Sequence, residues 1–388
     1  MTQTLTAGDD TPQGPLAGPI VKADSPTALL AVIPHLLGFV PQASLVVLGT
    51  EPPNDRVKVT LRYDLPDPPG AGIAADIAGH AVGVLGSQRL AAMMAVGYGP
   101  ETLVDPVAGS LRDAAWEAGI ELRDVLRVED RRYWSYRCAD ETCCPGAGTP
   151  FDPGADWAAA DMASAGNQVL ADRAAVAARI APLGGIAAQS MRQATRRAEQ
   201  HASQLLAKVR KSARIGAVRQ MIAAEGLNAV GAMIATYRAG GRYTTDYQIA
   251  WITVALRDLR VRDDAWARMD PAYLDAHRRL WIDMTRRAQP GYVAAPAALL
   301  AFVAWQSGDG ALANVALDRA LADEPRYSMA LLLRQVISAG APPSLARLPM
   351  SPEEVAASYD DAEDDGVAEG YDHDPDPDVH DPDPLSEP

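Results

Sequence analysis

Between Asp24 and Phe39, in "DSPTALLAVIPHLLGF", the apolar side chains Leu29, Leu30, Ile33, Leu36 and Leu37 return to one face, which predicts a helix. Ser25 can cap it, Pro26 suits its first position and Gly38 closes it. The run Leu45–Leu48 then reads as a strand covered on both faces, and "RVKVTLRY" alternates as a half-buried one. Ile73, Ile77, Val84 and Leu85 predict a second helix and "LAAMMAVGYG" a further buried strand. A third helix opens at Asp105-Pro106 and runs through Val107, Leu111 and Ala115 to Gly119. "ELRDVLRV" and "RRYWSY" are extended, with Glu129-Asp130 as the turn between them. The order α-β-β-α-β-α-β-β predicts an α/β domain with a mixed sheet, in two or three layers.

From about Ala158 to Ser344 the period is helical and strong helix formers dominate. Within it Leu300, Ala304, Gly308, Ala313, Leu317, Ala320 and Pro325 fall at the spacing of a tetratricopeptide-like helical hairpin. The predicted organisation is a flexible leader over 1–22, the α/β domain over 23–155, an all-α helical domain over 156–348 and a disordered acidic tail over 349–388.

Charge changes this picture chiefly at the C-terminus. The net charge of −15 arises from 50 acidic and 35 basic residues, and the segment from Met350 to Pro388 has fifteen Asp and Glu with no Lys or Arg. The rest of the chain is formally neutral. Repeated Asp-Pro steps and few large apolar side chains leave such a tail without a core of its own. The longest weakly polar run, Tyr292 to Trp305, is too short to span a bilayer and the N-terminus has no signal-peptide pattern, so a cytoplasmic protein without a membrane segment is expected.

Candidate chemistry is sparse. Cys138, Cys143 and Cys144 are all the cysteines, spaced C-x4-C-C, one ligand short of a structural zinc site and without a nearby His. Reduced structural thiols are the preferred reading; zinc or iron, or a redox-responsive pair, are the alternatives, and no cofactor is expected. A crevice beyond the strand ends would gather Gly49 and Glu51 with Gly97, Tyr98 and Gly99, although "GYGP" is neither a dinucleotide fingerprint nor a phosphate loop. A basic stretch contains Arg192, Arg196, Arg197, Lys208, Arg210, Lys211 and Arg214, but it lacks interleaved aromatics. A solvated helix face, partly neutralised by the acidic tail, is preferred there to nucleic-acid binding.

Four segments, "AVIPHLLGFVPQASLVVLG", "RRYWSYRC" with "CCPGAGTPF", "ALRDLRVRDDAW" and "AAPAALLAFVAWQSGDGALANVALDRALADEP", together resemble the domain of unknown function 4192 family of high-GC actinobacteria. The likeness covers roughly Ser25 to Ser344. It implies lineage and compartment but neither activity nor site residues. The reading that follows is a binding or regulatory protein with a protein or peptide partner on the helical domain, its oligomeric state open. An enzyme acting on a small anionic or nucleotide-like substrate at the sheet crevice is the alternative.

Overall fold

The computed structural model describes residues 25–51, 56–67, 70, 72–154, 156–164, 169–210, 216–345 and 350–364. It also gives two short antiparallel strands, β1 (Leu5–Thr6) and β2 (Lys22–Ala23). The remainder of the expected leader and the tail beyond Asp364 lie outside the described residues.

Helix α1 (Pro26–Leu37) starts and stops where local chemistry says it should. The Ser25 hydroxyl accepts the Ala28 N–H at 3.1 Å, and Gly38 takes the left-handed φ of 75° that ends the helix. Strands β3 (Ser44–Glu51) and β4 (Arg56–Asp64), helix α2 (Ile73–Ser87), strand β5 (Ala92–Tyr98), helix α3 (Glu101–Glu117) and strands β6 (Glu121–Glu129), β7 (Arg132–Ser135) and β8 (Thr149–Pro150) complete the first region. The six-stranded sheet is ordered β4-β3-β5-β6-β7-β8, with β5–β6 parallel and every other pairing antiparallel.

This is a three-layer unit. On one face α2 and α3 bury Ile77, Leu85, Val104 and Leu111 against Leu45, Val47 and Met93. On the other, α1 packs Leu29, Leu30 and Ile33 on Val46, Leu48, Val96 and Leu126. That second core also takes Ala158 and Met162 from helix α4 (Trp157–Ser164), so the sheet unit reaches Ser164 instead of ending at residue 155.

Helix α3 begins at Glu101, a turn before the Asp105-Pro106 start read from sequence, and Pro106 lies inside it. A proline there removes one helical hydrogen bond at a cost of about 3 kcal/mol. Burial of Leu103 and Val104, worth roughly 1.5–3 kcal/mol each, offsets that cost and draws the first turn onto the sheet. Their close approach requires Gly97, where an added Cβ would lie 2.3 Å from Val104 Cγ1. A Gly97→Ala variant is expected to lose about 1–3 kcal/mol of stability through overpacking, read as a lower urea midpoint; an unchanged midpoint would mean that α3 can lift at no cost.

The rest is helical: α5 (Arg173–Ala178), α6 (Gly185–Arg210), α7 (Gly216–Arg238), α8 (Asp246–Ala255), α9 (Leu259–Ala267), α10 (Leu274–Arg287), α11 (Ala294–Gln306), α12 (Gly310–Asp323), α13 (Ser328–Ser338) and α14 (Pro352–Asp364). The α11–α12 hairpin forms as read, turning at Gly308 with φ 75°. All of α11 from Ala294 to Gln306 is buried, packed by α10, α12 and α13. The hairpin is therefore the centre of the helical core. Among the described residues no helix is long and apolar enough to cross a membrane.

Helix α14 corrects the expectation of disorder from residue 349. Ser351 and Glu354 form a reciprocal cap, Glu354 N–H to Ser351 Oγ at 3.2 Å and Ser351 N–H to Glu354 Oε2 at 2.6 Å, with Pro352 at the first position. Docking is onto α9: Val355 is buried, Tyr359 donates to Asp263 at 2.6 Å and Arg260 pairs with Asp360 at 2.9 Å. Within the described part of the acidic segment, Asp360 thus meets its cation on α9.

Candidate binding cleft and thiol loop

The crevice read from sequence does not assemble. Because β3 and β5 are antiparallel, Thr50 pairs with Ala92 while Ser44 pairs with Tyr98. Gly49 and Glu51 therefore lie at one end of the sheet and Gly97, Tyr98 and Gly99 at the other. The two strand glycines serve packing: an added Cβ at Gly49 would meet Leu90 at 2.7 Å, as Gly97 meets Val104. Tyr98 is buried, its hydroxyl has no hydrogen-bond partner among the described residues, and burial pushes its pKa up.

Of the basic set, Arg192, Arg196 and Arg197 are exposed on α6, while Met191, Ala194 and Ala198 face the core. Lys208 and Arg210 belong to the last turn of that helix. Lys211 and Arg214 lie outside the described residues.

A cleft of about 930 Å3 opens elsewhere, between α3 and the first half of β6. Its origin is a mismatch in strand length. β7 pairs with β6 only from Leu126 to Glu129, and the hairpin joining them turns at Asp130 and Arg131, whose φ values of 47° and 59° suit a tight two-residue turn. Residues 121–124 of β6 consequently have β5 on one side and, among the described residues, no strand on the other. A bulge in the β5–β6 pairing, where register shifts between Met93 and Ala95, re-aims Arg123 and Asp124 within this stretch.

Arg137 occupies the vacant edge in place of a strand: its guanidinium donates to the carbonyls of Leu122 and Arg123 at 2.9 and 3.1 Å. On the opposite wall Ala108 and Gly109 of α3 are small, Arg112 extends beside them, and Trp116 on the rim is 86% exposed. Tyr136 closes one end by donating to Asp105, and burial together with that carboxylate pushes its hydroxyl pKa up.

Asp124 sits on the cleft floor and its pKa is raised, burial outweighing the hydrogen bonds that favour the carboxylate. Ser135 donates to both of its oxygens, at 3.0 and 2.7 Å, and accepts the N–H groups of Arg137 and Cys138 at 3.1 and 3.0 Å. With its proton given to a carboxylate and its oxygen held by two amides, Ser135 is a structural link between cleft and thiol loop, not a nucleophile.

The loop that leaves β7 returns as β8 and is pinned from below. Arg132 donates to the carbonyls of Ala147 and Gly148 at 3.1 and 2.8 Å, and Trp134 Nε1 donates to Gly146 at 3.0 Å. The Arg127 guanidinium lies 3.8 Å from the Trp134 ring centroid. At the loop's head the Sγ atoms of Cys138, Cys143 and Cys144 all lie within 4.8 Å of one another, and all three thiols are free. Hydrogen bonds from the Cys144 thiol and the Asp140 N–H hold Cys138 below the usual thiol range, whereas burial and its donor role push Cys144 up to about 12.

The family model for a domain of unknown function, DUF4192, matches residues 26–344 of the 388. The chain belongs to this family. The DUF4192 match runs from the first residue of α1 past the end of α13, so it contains the cleft and the three cysteines and leaves α14 outside. No curated protein and no solved structure matches the chain.

Proposed function

We propose that this DUF4192 protein is a binding protein, not a catalyst, and that an extended peptide segment of a partner lies in the α3–β6 cleft. The observation that carries the reading is the unpaired first half of β6, whose carbonyls at Leu122 and Arg123 are met by a side chain where a strand would fit. An extended chain can add to such an edge through main-chain hydrogen bonds. Ala108 and Gly109 leave room on the facing helix for an apolar side chain, and Trp116 supplies an exposed aromatic anchor at the rim.

This moves the partner from the helical domain to the sheet unit, because the apolar face of the α11–α12 hairpin is spent on its own core. Three free thiols accord with a reducing compartment such as the cytoplasm.

Gly109→Leu tests the reading without threatening the fold. A Cβ at Gly109 meets nothing within 4 Å, and leucine is the better helix former by roughly 0.5–1 kcal/mol. Peptides selected on the wild-type protein from a random library, titrated calorimetrically, are expected to bind Gly109→Leu at least about tenfold more weakly, a change of roughly 1.4 kcal/mol. Leu331→Ser, on the exposed side of α13, is expected to leave them unaffected. Equal affinity for wild type and Gly109→Leu, or loss on Leu331→Ser, contradicts the proposal.

A further inference from the structure

Outside the cleft, the thiol loop carries a second and independent inference. We propose that Cys138, Cys143 and Cys144 bind one zinc(II) ion as three thiolates, with a water molecule completing the tetrahedron.

Spacing alone speaks against this, since Cys143 and Cys144 are adjacent and the chain has no Cys-x-x-Cys pair. The fold supplies what spacing lacks. The Asp140 carbonyl organises the cluster by accepting the N–H groups of Cys143 and Cys144 at 3.1 and 2.7 Å. The turn is tightened by the Asp140 carboxylate, which accepts the Thr142 N–H at 2.8 Å. Both neighbouring thiols are thereby carried to the side of Cys138.

Tetrahedral zinc with bonds of about 2.3 Å needs sulfurs roughly 3.8 Å apart, so a trio already within 4.8 Å closes on the ion by small side-chain rotations. The Ser135 hydroxyl accepting the Cys138 N–H at 3.0 Å, and the Arg132 and Trp134 bonds to the loop's return, hold the backbone in place before any ion arrives. Three sulfurs favour zinc over mononuclear iron, which takes four cysteines, and over calcium or magnesium, which take oxygen. Binding balances as one zinc(II), one water and three thiols giving a tris-thiolate aqua complex and three protons released to buffer.

The test uses the full reduced chain under exclusion of oxygen, with zinc(II) alone as ligand against a chromophoric chelator, and cobalt(II) as a spectroscopic probe. One equivalent of zinc per chain is expected, with sulfur-to-cobalt charge transfer and the intense visible bands of tetrahedral cobalt. Cys143→Ser and Cys138→Ser should each weaken zinc by more than about 100-fold, because the loss of an outer-shell partner alone costs 10–100-fold. Cys143 is exposed, so Cys143→Ser is expected to keep the wild-type urea midpoint and separate lost binding from lost folding. Binding in fixed stoichiometry that survives Cys143→Ser, or a reduced chain that takes up no zinc, overturns the proposal. A cobalt spectrum without thiolate charge transfer does so as well. Peptide affinity is not read in any of these arms, so the outcome is separate from that of the cleft.

Discussion

Replacing Asp283 by alanine is expected to cost about 3–5 kcal/mol of folding free energy, among the largest losses available in the helical region. Asp283 lies on α10 and is 9% exposed. Tyr237, fully buried on α7, donates its hydroxyl to Asp283 Oδ2 at 2.7 Å, and Arg287, one turn along α10, pairs with Oδ1 at 3.0 Å. The same guanidinium lies 4.6 Å from the Tyr243 ring centroid, so it is held by packing as well as by charge. Truncation leaves a buried hydroxyl and a largely buried cation without the carboxylate, the cation keeping only the Asp283 carbonyl at 3.5 Å, and desolvation that the pair now offsets is then largely unopposed. Asp283→Asn keeps an acceptor for Tyr237 and should cost less. The check is the urea midpoint at pH 7; a loss below about 1 kcal/mol for the alanine variant would mean that α7 and α10 do not depend on this network.

The second large effect is one of pH. His277, 1% exposed on α10, accepts the Asp270 N–H on Nε2 at 3.4 Å, while its Nδ1 has no hydrogen-bond partner among the described residues. Burial, with the Arg238 cation beside it, lowers its pKa to about 4, and the Asp270 carboxylate only partly opposes this. In the unfolded chain the value is about 6.5. Between those two pH values the unfolded state binds a proton that the folded state refuses, so this contribution is intact above about pH 6.5 and is lost as pH falls toward 4. The full loss is on the order of 3 kcal/mol. His277→Gln retains an acceptor and cannot titrate, so the stability difference between wild type and variant should shift against wild type by that amount between pH 7 and pH 4. A difference that stays constant over the range would show that His277 does not gate acid stability.

What the sequence disclosed was local. Ser25-Pro26 and Gly38 bound α1 because capping chemistry acts within one turn, and "RVKVTLRY" forms β4, although the register shift opposite Gly49 and Thr50 sends Val57 to the α1-side core while Val59, Leu61 and Tyr63 pack towards α2 and α3. Local too is the signal in Ser351-Pro352-Glu353-Glu354, whose cap starts α14 within an acidic run. Strand pairing is not local: nothing in β3 or β5 alone says that they run antiparallel, and that single fact separates Gly49 from Gly97.

The cleft was illegible for the same reason. Gly109 and Trp116 on α3, Asp124 in a strand bulge and Arg137 after β7 meet only because β7 stops short of the start of β6. Trp116 alone carried a signal, standing beside the apolar stripe of Leu103, Val107, Leu111 and Ala115 instead of within it. The thiols are the converse case, since their residue types were plain while their convergence depended on the Asp140 turn.

Amide hydrogen exchange across the chain, with and without a selected peptide, tests the central claim most directly, because a strand added to an edge protects the groups it pairs with. Slowed exchange over residues 121–125 and along α3 near Gly109, with α11 to α13 unchanged, is the predicted result. Protection confined to the helical region, with the β6 edge exchanging as in the free protein, would contradict it.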